Sequence, residues 1–92
     1  RDAKRLADVR QLASAQELYN NDNNGSYAST IAQLIAGSYI GTYPIVPSGG
    51  SCSSATYTLT GGGSTYNIAF CLEGTTGGLG AGTHNASPTG IQ

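Results

Sequence analysis

Beyond Asp22 the chain carries one ionised side chain, Glu73, and that scarcity excludes whole classes of chemistry. A lone carboxylate cannot form the acid–base pair of a glycosidase, nor can it build a dedicated calcium cage. The only histidine, His84, lies in a Gly/Thr/Asn-rich tail with no neighbouring acid to orient it. It reads as a surface residue rather than a general base. Serines are plentiful, yet none stands in a nucleophile elbow. Gly61-Gly62-Gly63-Ser64 leads into a strand-like run rather than a helix, which disfavours a phosphate cradle. No stretch approaches the ~20 apolar residues of a bilayer span, and no signal-peptide pattern is visible. This inventory points away from an enzyme, a cofactor or a metal.

Charge is also too balanced for nucleic acid. The formal net charge is −1, and only 10% of residues are charged. The four basic residues Arg1, Lys4, Arg5 and Arg10 lie close together, but Asp2 and Asp8 are interleaved with them. The expected arrangement is a solvated helix face with local ion pairs, Lys4–Asp8 among them. No specific nucleic-acid partner follows. Ninety-two residues suffice for one small domain. Glycine accounts for 14 of them, and Ser, Thr and Asn are abundant after residue 23. That composition resembles a secreted or surface-exposed bacterial domain. Asn24-Gly25-Ser26 and Asn85-Ala86-Ser87 match the glycosylation sequon, and both are read as chance matches.

Two cysteines, Cys52 and Cys71, enclose 18 residues without CxxC or histidine partners, so a metal site is disfavoured. One disulfide is the expected state, implying an oxidising compartment; two unrelated buried thiols are the alternative.

What the chain does contain is a strong helical start. From Arg1 to about Asn20 good helix formers dominate, with no Gly or Pro. Leu6, Val9, Leu12, Ala13, Gln16 and Tyr19 share one broad face at 3.6 residues per turn. Ala3, Ala7, Ser14 and Leu18 form a second, narrower stripe, compatible with packing against another molecule. A helix usually opens with a cap ahead of its first apolar position. Here Arg1 is already inside the periodic pattern, and the expectation is a longer helix continuing upstream.

The run Asn20 to Gly25 ends the helix. Ser26 or Ser29 is the expected cap of a short helix over about Thr30 to Ala36, buried through Ile31, Leu34 and Ile35 and followed by Gly37. Tyr39 to Pro47 reads as an extended connection, held by Pro44 and Pro47. Ala55–Thr60 and Thr65–Leu72 are the strand candidates, joined through about four residues, Gly61 to Ser64. Tyr66, Ile68, Phe70 and Leu72 alternate onto one face, with Tyr57 and Leu59 matching them. The tail from Glu73 to Gln92 reads as an exposed loop or edge segment, with at most a short strand near Thr83 to Ala86.

The order is a long helix, the segment Tyr19-Asn20-Asn21-Asp22-Asn23-Asn24-Gly25-Ser26-Tyr27, a short helix, Tyr39 to Pro47 and then a hairpin. That order resembles the type IV pilin-like superfamily, both type IV pilins and the major pseudopilin of type II secretion. Residues 1 to 47 carry the likeness. The fold it implies is α+β: one long N-terminal helix on a small antiparallel sheet, with a short helix in the αβ-loop. The segments would be 1–22 for the C-terminal half of the long helix, 23–54 for the αβ-loop, 55–72 for the hairpin and 73–92 for a Gly-rich C-terminal segment.

The resemblance also implies a cleaved leader and a hydrophobic N-terminal half-helix. That half-helix anchors the subunit in the inner membrane and later packs in the core of a filament. The partners would be further copies of the subunit and the pilus or secretion assembly machinery. The filament would be an extracellular pilus or a periplasmic pseudopilus. Ala3, Ala7, Ser14 and Leu18 are the expected filament interface. Two departures bear on the branch. Ala28 stands where Pro often follows the tyrosine, and no acid follows Pro47 where pseudopilins place calcium ligands. The cysteine pair favours a pilus subunit over the pseudopilin alternative. A secreted, disulfide-stabilised binding module is the competing class.

Overall fold

A computed structural model describes residues 1–47, 52 and 56–92. It contains two helices, α1 (Asp2–Asp22) and α2 (Ile31–Ala36). Four strands follow: β1 (Thr58–Gly62), β2 (Thr65–Leu72), β3 (Gly82–Ser87) and β4 (Gly90–Ile91). The class is α+β, with every strand pair antiparallel and the order β1-β2-β3-β4.

α1 is 21 residues, about 32 Å at 1.5 Å per residue, and lies against β2 and β3. Leu6, Val9, Leu12 and Gln16 of its expected inner face are buried, while Ala13 and Tyr19 are half-buried at the margins. They meet Tyr66, Ile68, Phe70 and Leu72, all buried on alternate positions of β2, and Ala86 from β3. Gln16 is fully buried because its amide pairs with both backbone groups of Ala28, at 2.8 Å each. A polar side chain thus ties the helix to the αβ-loop without an unpaired group in the core.

The helix ends as its composition requires. Asn24 and Gly25 take positive φ of 57° and 86°, and the Gly25 N–H donates to Asn20 O at 2.9 Å. Tyr27 then bonds Gly63 O through its N–H at 2.8 Å, pinning the loop to the hairpin tip. The cap of α2 is Thr30, not Ser26 or Ser29: its hydroxyl accepts from the Gln33 N–H at 3.2 Å. Ser29 instead donates its backbone N–H to the Gln33 side chain at 2.7 Å. Gly37 follows α2 but has φ −87°, and the left-handed residue is Ser38 at φ 63°. Glycine at 37 answers to space, since a Cβ there would lie 2.5 Å from the Tyr39 ring. The connection after Tyr39 bends through residue 42 before running irregularly to Pro47, so it is less extended than its prolines suggest.

Two strand expectations are corrected. The β1–β2 connection is two residues, Gly63 and Ser64, because Gly62 already pairs with Thr65. Gly61 is paired too, at φ 112°, and a Cβ there would approach Tyr66 Cα to 2.7 Å. β1 therefore runs two residues further toward the tip than the glycine cluster indicates, while β2 has its expected bounds, Thr65–Leu72. At its other end β1 starts at Thr58, so Thr56 and Tyr57 of the first strand candidate are not strand, and residue 55 lies outside the described residues. In the tail the short strand expected near Thr83 to Ala86 is present as β3, but the exposed-loop or edge reading is corrected. The tail forms a second hairpin whose first strand, β3, is an interior strand of the sheet, with Ile68↔Ala86 and Phe70↔His84 in register. Pairing with β2 supplies the order that its Gly, Thr and Asn residues would not supply alone.

Cys52 and Cys71 are joined, with Cα atoms 5.8 Å apart, and Cys52 is buried.

Candidate functional site

Two features of α1 stand out: an outward stripe and a buried charged end. The stripe comprises Ala3, Ala7, Ser14 and Leu18, all exposed on the side away from the core. Leu18 is 58% exposed and, with Tyr43 and Ile45, is one of three large apolar side chains open to solvent among the described residues. Short side chains at positions 3, 7 and 14 leave the helix backbone open to close approach by another element. The four residues grouped in the sequence are thus all exposed among the described residues.

The charged end departs from expectation. Of the cluster read as a solvated face, Arg1, Lys4 and Arg10 are exposed, but Asp2 is half-buried and two members lie inside. Arg5 is fully buried, and Asp8 is 9% exposed. Arg5 Nη1 donates to Asp2 at 2.8 Å and to Glu73 at 2.7 Å, while its Nη2 donates to Pro47 O. Arg1 adds a two-pronged contact to Glu73, at 2.7 and 2.9 Å. Asp2 accepts the Glu73 and Gly74 N–H groups at 2.9 Å each, and the Thr76 hydroxyl at 3.3 Å. Two cations and two carboxylates thus form a neutral quartet that fastens the start of α1 to the β2–β3 connection. Arg5 Nε is buried without a partner among the described residues.

The same geometry fixes the electrostatics. Hydrogen bonds led by the Glu73 N–H hold the Asp2 carboxyl down at about 2. Glu73 is lowered chiefly by Arg1 and then by Arg5. Burial opposes the charge on Arg5, but its contacts to Glu73 and Asp2 outweigh that penalty and raise its pKa. Lys4–Asp8 forms as expected, at 2.7 Å, and Asp8 also accepts the buried Tyr57 hydroxyl at 2.7 Å. Burial first, then Asp8, pushes that hydroxyl's pKa far up.

The sign of the pH dependence follows from these shifts. Both carboxylates titrate lower in the folded chain than their ordinary values near 4. Their stabilisation is therefore complete above about pH 5 and is lost as pH falls toward 2. Urea midpoints should fall between pH 6 and pH 3. In Asp2→Asn the midpoint should already be lower at pH 6 and should fall less on acidification. Parallel acid losses in the two proteins would contradict this role for Asp2.

His84 is half-buried on β3, tilted over Phe70 with ring centroids 5.9 Å apart. Both ring nitrogens face carbonyls, those of Gly80 and Gln92, which makes it a packing and hydrogen-bonding residue of the second hairpin. Among the described residues no group of three metal-ligating side chains comes together. A cavity of about 420 Å³ is lined by Ile31, Tyr43, Pro44, Val46, Thr56 and Tyr57. The Tyr57 hydroxyl is already committed to Asp8.

The buried arginine had a sequence signal. Positions 5, 9, 12 and 16 form one stripe at 3.6 residues per turn, so Arg5 lies in line with Val9, Leu12 and Gln16. No protein-family model matches the chain, and neither a curated protein nor a solved structure gives a match.

Proposed function

We propose that the protein is a non-catalytic structural subunit of a type IV pilin-like filament, polymerising through α1 with further copies of itself. The observation that carries this reading is the outward stripe of Ala3, Ala7, Ser14 and Leu18 on a long helix whose opposite face is already filled by the sheet. A helix needs one apolar face to belong to its own domain. A second face of small residues ending in an exposed leucine suits close packing against neighbouring helices. The α+β arrangement, with α1 on an antiparallel sheet and α2 in the intervening loop, is compatible with a pilin-like fold. The Cys52–Cys71 bond suits an oxidising location at a cell surface, and it favours a pilus subunit over a secretion pseudopilin.

In such a filament the sheet and the Gly-rich second hairpin face outward, and α1 lies toward the axis. The reading also expects the gene to encode a leader and ~20 apolar residues ahead of the Arg1 codon. A plain signal peptide there would oppose it.

Ala7→Trp in the full-length protein is the test of the interface. Ala7 is exposed in the isolated domain, so the bulky ring should leave the melting temperature of residues 1–92 within a few degrees of the parent. In the filament it should block assembly, read as loss of pelletable polymer and of filaments by electron microscopy. Assembly at the wild-type level would remove the stripe from the interface.

A further inference from the structure

Ile45, Pro47 and Tyr57 are fastened to the first turns of α1, and Cys52 to β2. Lys4 Nζ donates to Ile45 O at 3.3 Å, Arg5 Nη2 donates to Pro47 O, and the Tyr57 hydroxyl donates to Asp8 at 2.7 Å. Cys52 is bonded to Cys71 on β2. One guanidinium therefore reaches both sides of the disulfide. Arg5 holds the backbone five positions before Cys52, and through Glu73 it holds the chain two positions after Cys71. Glu73 is held a second time by Arg1, and its backbone N–H by Asp2.

We propose that this Arg5-centred clasp is the positioning device for the Cys52–Cys71 bond, so that the clasp and the disulfide are energetically coupled. Arg5 and Glu73 are positioning residues here, since neither touches sulfur. A contact that keeps the two cysteine segments together in the dithiol form raises the effective concentration of one thiol at the other. Reciprocally, the closed disulfide strengthens the clasp by the same factor.

The relevant equilibrium is thiol–disulfide exchange with a small dithiol–disulfide couple, for which glutathione serves as the probe. A glutathione thiolate attacks one protein sulfur, breaking the Cys52–Cys71 bond, forming a mixed disulfide and releasing the other protein cysteine as a thiolate, which takes up a proton. A second glutathione thiolate then attacks the glutathione sulfur of that adduct and releases the second protein thiolate, which takes up a proton. Two electrons pass to the protein, and one glutathione disulfide is formed.

The test equilibrates the intact protein with graded ratios of reduced to oxidised glutathione at pH 7, then traps thiols and counts them by mass. Glu73→Gln keeps the shape of the side chain but removes its charge. Its disulfide should be reduced at a redox ratio about tenfold less reducing than the wild-type protein requires. Gln16→Leu serves as the control, since Gln16 lies eleven positions along α1 from Arg5 and its loss weakens the fold at Ala28. It should stay within about twofold of wild type. Equal shifts in Glu73→Gln and Gln16→Leu would overturn the proposal, because the disulfide would then report only global stability. An unshifted Glu73→Gln would overturn it as well.

Discussion

Reducing Cys52–Cys71 is expected to lower the melting temperature by more than ten degrees. The bond closes a loop of 18 intervening residues. Chain entropy assigns such a closure about 3 kcal/mol. A domain of this length unfolds with an entropy near 0.2 kcal/mol/K, so 3 kcal/mol corresponds to about 15 degrees. The core behind it is small. It rests on one helix face, the inner positions of β2, α2 and a few loop residues, and a domain of this kind has only about 5–15 kcal/mol in total. Paired calorimetric scans with and without reductant measure the effect. A fall below three degrees would mean that the reduced chain is already held closed by its other contacts.

Arg5→Ala is expected to be the most damaging single substitution among the charged residues, at about 3 kcal/mol or more. Removing the arginine strands two carboxylates that were arranged around it and leaves a void where a fully buried side chain stood. It also frees the Pro47 carbonyl from its donor. Lys4→Ala provides the contrast. Lys4 is half-exposed, its partner Asp8 keeps the Tyr57 hydroxyl, and the loss should stay within about 1 kcal/mol. Urea unfolding of the two variants should separate them by more than 1 kcal/mol. Indistinguishable midpoints would show that the Asp2–Arg5–Glu73 cluster is as weakly coupled to folding as an ordinary surface pair.

These two features differ in how visible they were in the chain. The cysteine pair could be read from inventory alone, because no metal-ligand spacing competed with it. The alternation of Tyr66, Ile68, Phe70 and Leu72 and the Leu6/Val9/Leu12 spacing likewise mapped directly onto the core, since periodicity records which face is buried. The arginine was harder. Its partner Glu73 is 68 positions away, and a charged residue among other charges at a helix start ordinarily means solvent. Only its alignment with Val9, Leu12 and Gln16 marked it as inward. The second hairpin was less legible still. Apart from Ala86, β3 places no apolar side chain in the core, so its strand character comes from backbone pairing with β2 and has no periodic signature. The short connection at Gly63 and Ser64 was hidden for a related reason. Gly61 and Gly62 read as turn residues, whereas Gly61 serves the close approach of β1 to Tyr66.

The outward stripe of α1 is where the fold and the proposed function meet, and one measurement addresses it directly. Electron cryomicroscopy of filaments formed by the full-length protein would resolve the surroundings of α1 in the polymer. The expected map places Ala3, Ala7, Ser14 and Leu18 within van der Waals contact of helices from neighbouring subunits, with the sheet on the outer surface. A protein that forms no filaments, or filaments in which those four residues face solvent, would contradict the account.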